Sequence, residues 1–120
     1  MAGKQTGEFT FKMTAFSISP GPAGSILIQV NSEGAATGFG QVLSTTTFVG
    51  GNSGTFSYCG WAALDNGESV TGIGSGTYET IAKHRIRTKG LVQISDGRSI
   101  ESEGEADLAS RSWNGKLFEK

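Results

Sequence analysis

The chain has 120 residues, 36% of them hydrophobic, and a formal net charge of -1. That length suits one domain with one core, no apolar run approaches the ~18 residues of a membrane helix, and a near-neutral charge argues against a nucleic-acid binder, which carries a strong basic surplus. One cysteine leaves no internal disulfide and no thiolate metal cluster.

No stretch carries the i, i+3, i+4, i+7 apolar stripe of a surface helix. Alternation with period two recurs instead, punctuated by turn signals. The opening "MAGKQTGEF" has no apolar h-region, so a cytoplasmic protein without a signal peptide is expected. The first strand is expected over 8–16, with Phe9, Phe11 and Met13 on its inner face. "SISPGPAGS" (17–25) leads to a second strand over 25–31, with Ile26 and Ile28 inward. "NSEGA" (31–35) reads as a short hairpin loop closed by a left-handed glycine, opening a third strand over 35–48. After "VGGNSGT" (49–55), a fourth strand over 54–64 turns Phe56, Tyr58, Gly60 and Ala62 inward. "LDNGE" (64–68) is a second tight hairpin.

The fifth strand, 69–79, turns Val70, Gly72, Gly74, Gly76 and Tyr78 inward. "ETIAKH" (79–84) connects it to a sixth, 84–95, with His84, Ile86, Thr88, Gly90 and Val92 inward. "ISDGR" (94–98) is the third tight hairpin. The seventh strand, 98–108, points Ile100, Gly104 and Ala106 inward. "LASRSW" (108–113) and an eighth strand, 112–118, with Trp113, Gly115 and Leu117 inward, complete the chain. Residues 1–120 thus read as a single all-β domain, an eight-stranded antiparallel up-and-down barrel, closed so that no edge strand is exposed.

The hairpin at 94–98 predicts its own register. With Ser95, Asp96 and Gly97 in the loop, Val92 faces Ile100 and Ile86 faces Ala106 on one side. On the other side Lys89, Arg87 and Arg85 face Glu103, Glu105 and Asp107. Turn chemistry, apolar pairing and charge pairing agree. The basic "KHRIRTKG" and acidic "ESEGEAD" therefore read as an outward charge ladder rather than a phosphate or acid–base site.

Gly72, Gly74 and Gly76 fall on every second residue of one strand. A dinucleotide fingerprint needs G-x-G-x-x-G between a strand and a helix; here the spacing differs and another strand follows. The glycines are expected instead to make room for large aromatics inside a narrow barrel.

Alternate connections of a meander share one end. The three tight hairpins therefore lie together, and the looser segments 17–25, 49–55, 80–83 and 109–112 form the expected mouth. His84, the one histidine, begins strand six at that mouth, with Tyr78, Phe56, Tyr58, Trp113 and Arg111 from the same end. A neutral imidazole there suits a general base or a carbonyl-polarising group; the alternative is a structural histidine capping the lumen. No further metal ligands accompany it, so neither a metal nor another cofactor is expected. On the outer face Cys59, Trp61, Ile73 and Leu91 form an apolar stripe that points to a homo-oligomer.

"VTGIGSGTYETIAKHRIRTKGLVQI" (70–94), with its phrase Gly74-Ser75-Gly76-Thr77-Tyr78, resembles the allene oxide cyclase and dirigent barrels. That resemblance implies an eight-stranded antiparallel barrel, an apolar lumen and often a trimer. The family's catalytic residues do not map onto this sequence. A lipocalin-like barrel is the alternative, without its N-terminal Gly-x-Trp signature.

Two functions follow as expectations. In the first, the lumen binds a small, largely apolar molecule, as a carrier or a cofactor-free isomerase or cyclase, with Phe56, Tyr58, Trp113 and Arg111 at the ligand and His84 and Tyr78 doing any chemistry. In the second, the barrel is filled by its own side chains and serves as a non-catalytic oligomeric module. Neither involves nucleic acid or a membrane.

Overall fold

Alternation of inward apolar and outward polar residues produces a closed barrel in which each strand pairs with its sequence neighbours and β1 pairs with β8. The computed structural model describes residues 3–120. The strands are β1 (Gln5–Pro20), β2 (Ile26–Ala36), β3 (Gly40–Gly50), β4 (Ser53–Ala63), β5 (Ser69–Ala82), β6 (Arg85–Ile94), β7 (Ser99–Asp107) and β8 (Ser112–Glu119). One 3-10 turn, Pro22–Gly24, joins β1 to β2. Every pairing is antiparallel.

The β6–β7 register is the one the turn and side-chain patterns require. Val92 pairs with Ile100, Ile86 with Ala106, Lys89 with Glu103, Arg87 with Glu105 and Arg85 with Asp107. The charges lie on the outer wall. Arg85 meets Asp107 at 3.8 Å, while Arg87 turns to Glu79 on β5 at 3.5 Å rather than to Glu105.

The recurring glycines meet as cross-strand pairs: Gly60 with Gly72, Gly76 with Gly90, and Gly104 with Gly115. Aromatic rings occupy the space so freed. A Cβ on Gly76 or Gly90 would lie 2.6 or 2.8 Å from Phe56 Cζ, and one on Gly104 would lie 2.8 Å from Phe9 Cζ. The large rings thus lie across bare backbone of the neighbouring strands, which lets a small barrel hold several aromatics.

The β2–β3 hairpin differs from expectation. Residues 31–35 are strand, not turn, and the chain reverses at 37–39. Gly34 faces inward so close to β1 that a Cβ there would meet Phe11 Cα at 2.8 Å. The turn glycines are Gly38 and Gly40, with φ of 81° and 68°, which side-chain-bearing residues adopt at a cost. Thr37 ties the turn down: its N–H donates to Glu8 O at 2.9 Å and its hydroxyl accepts from the Glu8 N–H at 3.1 Å. Ile26, expected inside, is exposed beyond the lumen, while Val30 and Ser32 continue the inner face of β2.

His84 is not on the inner face of β6. It occupies the β5–β6 turn, exposed, with φ of 63°. Its strand begins one residue later, so the alternation that would have pointed it inward never includes it. Histidine is among the residues that tolerate this left-handed backbone.

Candidate lumen site

The lumen has two unlike halves. Toward the loop end (21–25, 51–52, 83–84 and 108–111) it is filled with aromatic side chains. Phe48 packs edge-on against Tyr78 with centroids 5.2 Å apart, and Phe56 lies 5.7 Å from Phe48. The Tyr78 hydroxyl donates to Gly51 O at 3.0 Å. Trp113 sits where the halves meet, and its Nε1–H donates to the buried Thr88 hydroxyl at 3.2 Å.

Toward the hairpin end (37–39, 64–68 and 95–98) Phe9, Phe11 and Phe39 share the lumen with smaller inward residues, and space remains. An apolar cavity offers about 90 Å³ to the centre of a water-sized sphere. Its walls include Val42, Ala62, Val70, Ile94, Ile100 and Leu117. A buried water needs roughly 10–15 Å³ on this measure and two or more polar partners. The space therefore exceeds one water and is mainly walled by groups that offer water no partner.

The cavity thus lies away from the end expected to form the mouth. The looser loops flank the plugged half, and the cavity adjoins the three hairpins. Loop length and glycine content govern backbone freedom, but lumen space is set by how the inward side chains pack. At the hairpin end Phe39, carried on the 37–39 turn and only 7% exposed, folds over the cavity. The Arg98 guanidinium lies 4.2 Å from the centre of its ring. Asp96 holds Arg98 in place, accepting from its Nε at 2.9 Å. The Arg98 hydrogen bonds from side chain and backbone hold the Asp96 carboxyl below its ordinary value of 3.8.

Of the expected site residues, Phe56, Tyr58 and Trp113 line the cavity. Tyr78 belongs to the plug on the other side of Phe48. Arg111 is exposed in the β7–β8 turn, with φ of 62°, its guanidinium 4.6 Å from the Phe16 ring centre. His84 lies outside the wall, near the Asp107 carboxylate. That carboxylate is held below its ordinary 3.8 chiefly by the backbone N–H groups of Ala109 and Ser110, with Arg85 and His84 adding positive charge. Asp107 caps a turn, and the structure does not join His84 to Tyr78 in one constellation.

Tyr58 is the ionisable group at the cavity. Its ring lies along its own strand over Gly60, where a Cβ would meet the phenol oxygen at 2.7 Å. Burial raises its pKa above the ordinary 10.0, and the nearby Ser44 hydroxyl opposes the shift. Burial also raises that of Tyr78. Both phenols are protonated at neutral pH.

Three buried hydroxyls, Ser32, Ser44 and Thr46, have no hydrogen-bond partner among the described residues. All project inward from β2 and β3. Ser44 approaches the Tyr58 phenol without completing a hydrogen bond. Each such orphan costs about 1–3 kcal/mol, so three together ask for a reason. The sequence reading missed these residues and Phe39. A phenylalanine between two glycines, "GFG" (38–40), was the available signal for an apolar turn tip. Comparison with protein families, curated proteins and solved structures returns no match to this chain.

Proposed function

We propose that this barrel binds a small, largely apolar molecule in the hairpin-end half of its lumen. The carrying observation is the apolar cavity beside Tyr58, in a barrel whose other half is packed with aromatics. Eight strands enclose space for side chains alone or for one small ligand, and here the space is left on one side of Trp113. Binding is better supported than turnover, because the phenols at the lumen are held protonated and His84 faces solvent. Isomerase or cyclase chemistry would have to come from shaping a reactive substrate rather than from a base. Methyl NMR during a toluene titration tests the reading: cavity methyls shift if toluene enters, and none shifts if the lumen is closed to it.

A second reading, self-association, has its own observation. The outer wall divides in two. Strands β6 to β8 and β1 carry Arg87, Lys89, Glu103, Glu105, Lys116 and Lys12 outward, a pattern unlike the apolar band of a lipid-facing barrel. Among the described residues no helix is long and apolar enough to cross a membrane. On β3 to β5 the pairs Leu43–Trp61 and Cys59–Ile73 stand outward with no charged residue among them. Leu43, Trp61 and Ile73 are 54%, 45% and 67% exposed. Loss of charge at the centre of a patch is the compositional mark of an interface. A free, exposed thiol at Cys59 suits a reducing compartment such as the cytoplasm.

A further inference from the structure

We infer that the lumen selects an uncharged ligand of about one ring bearing a single neutral oxygen, and that Tyr58 with Ser44 reads that oxygen. The inference rests on the proposed lumen binding and adds the chemistry of the ligand. Its starting point is one row across four strands. Ser32 on β2 pairs with Ser44 on β3, Ser44 with Gly60 on β4, and Gly60 with Gly72 on β5. Because the Tyr58 ring lies over Gly60, its phenol oxygen is carried into this row, beside Ser44. Thr46, one step along β3, pairs with Tyr58 itself.

The row therefore collects a phenol and two serine hydroxyls, with a third hydroxyl adjacent. Ser32, Ser44 and Thr46 are 4%, 8% and 0% exposed, and none has a partner among the described residues. Tyr58, Gly60 and Gly72 line the cavity, whereas Ser32, Ser44 and Thr46 do not, so Ser44 acts on a ligand oxygen through the Tyr58 phenol beside it. Hydroxyls both donate and accept, so the row suits an alcohol, a phenol or a carbonyl equally. It does not suit a carboxylate or an ammonium. Among the described residues the inward faces of the strands bury no charged side chain in the lumen, Glu119 opposite Ile100 being exposed at the rim, and an unpaired ion inside would lose its hydration uncompensated. Size restricts the ligand further, since the space is about 90 Å³.

The test is a calorimetric comparison of toluene, phenol and benzoate on the intact protein. Toluene and phenol have nearly one shape and differ in the oxygen. In the wild type, phenol is expected to bind at least as tightly as toluene, despite its stronger hydration, and benzoate about 100-fold more weakly or not at all, because its charge would be buried unpaired. Tyr58→Phe and Ser44→Ala should each weaken phenol about three- to tenfold, the loss of one hydrogen bond, and leave toluene within about twofold. Ser44→Ala supplies the reading if Tyr58→Phe folds poorly. Toluene binding with phenol tenfold weaker, indifferent to both variants, would overturn this inference and leave lumen binding standing. Benzoate binding as tightly as phenol would also overturn it. No binding of any probe would overturn both readings.

Discussion

At the scale of single residues, glycine decides what the lumen can hold. Gly76 faces Gly90, and the Phe56 ring rests on the pair. A methyl group on Gly76 would meet Phe56 Cζ at 2.6 Å and Gly90 Cα at 2.7 Å, and also the Lys89 carbonyl. Two of these neighbours are backbone and cannot swing aside. Gly76→Ala is therefore expected to destabilise by about 1–3 kcal/mol, the usual cost of overpacking. Gly51→Ala is the matched control, since a Cβ there meets nothing within 4 Å. It should leave stability unchanged or raise it by up to about 1 kcal/mol through the unfolded chain. Urea denaturation of the two variants checks both signs. Equal effects would mean that the glycines do not serve ring packing.

At the scale of elements, how a strand was read depended on how cleanly its two faces differ. The register of β6 with β7 was readable to the residue, though not the start of β6 at His84, because Val92, Ile86, Ile100 and Ala106 alternate with Lys89, Arg87, Glu103 and Glu105. β3 was not. In "LSTTTF" (43–48) Ser44 and Thr46 face inward while Thr45 and Thr47 face outward, so both faces look polar. The orphan hydroxyls were hidden by the same ambiguity. The 31–35 turn failed for another reason. Gly34 serves close approach to β1, and a sequence shows the glycine without showing which need it meets. The cavity lies away from the expected mouth because Phe48, Phe56 and Tyr78 cluster at the loop end, and that clustering follows from strand direction and position together.

The 37–39 turn carries an expectation of its own. Phe39 closes the cavity and Arg98 lies over its ring, held by Asp96. Arg98→Ala should free the turn and speed exchange of bound toluene in both directions, with little change in affinity. Line-shape analysis of the ligand resonances measures this. The pH dependence has a defined sign. Asp96 is depressed in the folded protein, so its contribution is complete above its ordinary value of 3.8 and is lost as pH falls through the lowered value. Exchange in the wild type should therefore accelerate only in that acid range. Acceleration near neutrality, or none in Arg98→Ala, would remove Phe39 from the route into the lumen.

At the scale of the whole molecule, two surfaces compete to explain the protein: the inner cavity and the outer apolar patch of Leu43, Cys59, Trp61 and Ile73 on β3 to β5. They make separable demands. The outer face predicts a stable oligomer in sedimentation at micromolar concentration, converted to monomer by Trp61→Glu, whose side chain stands outward opposite Leu43. A wild-type monomer would leave Leu43, Trp61 and Ile73 without that role. The inner cavity makes the more direct claim, and it is independent of assembly. Methyl-labelled protein titrated with toluene should show shifts at Val42, Val70, Ile94, Ile100 and Leu117, which line the cavity. Methyls of the plugged half, such as Ile86, and of the outer wall, such as Ile73, should stay in place. Shifts confined to the outer wall, or none at saturation, would contradict a ligand-binding lumen.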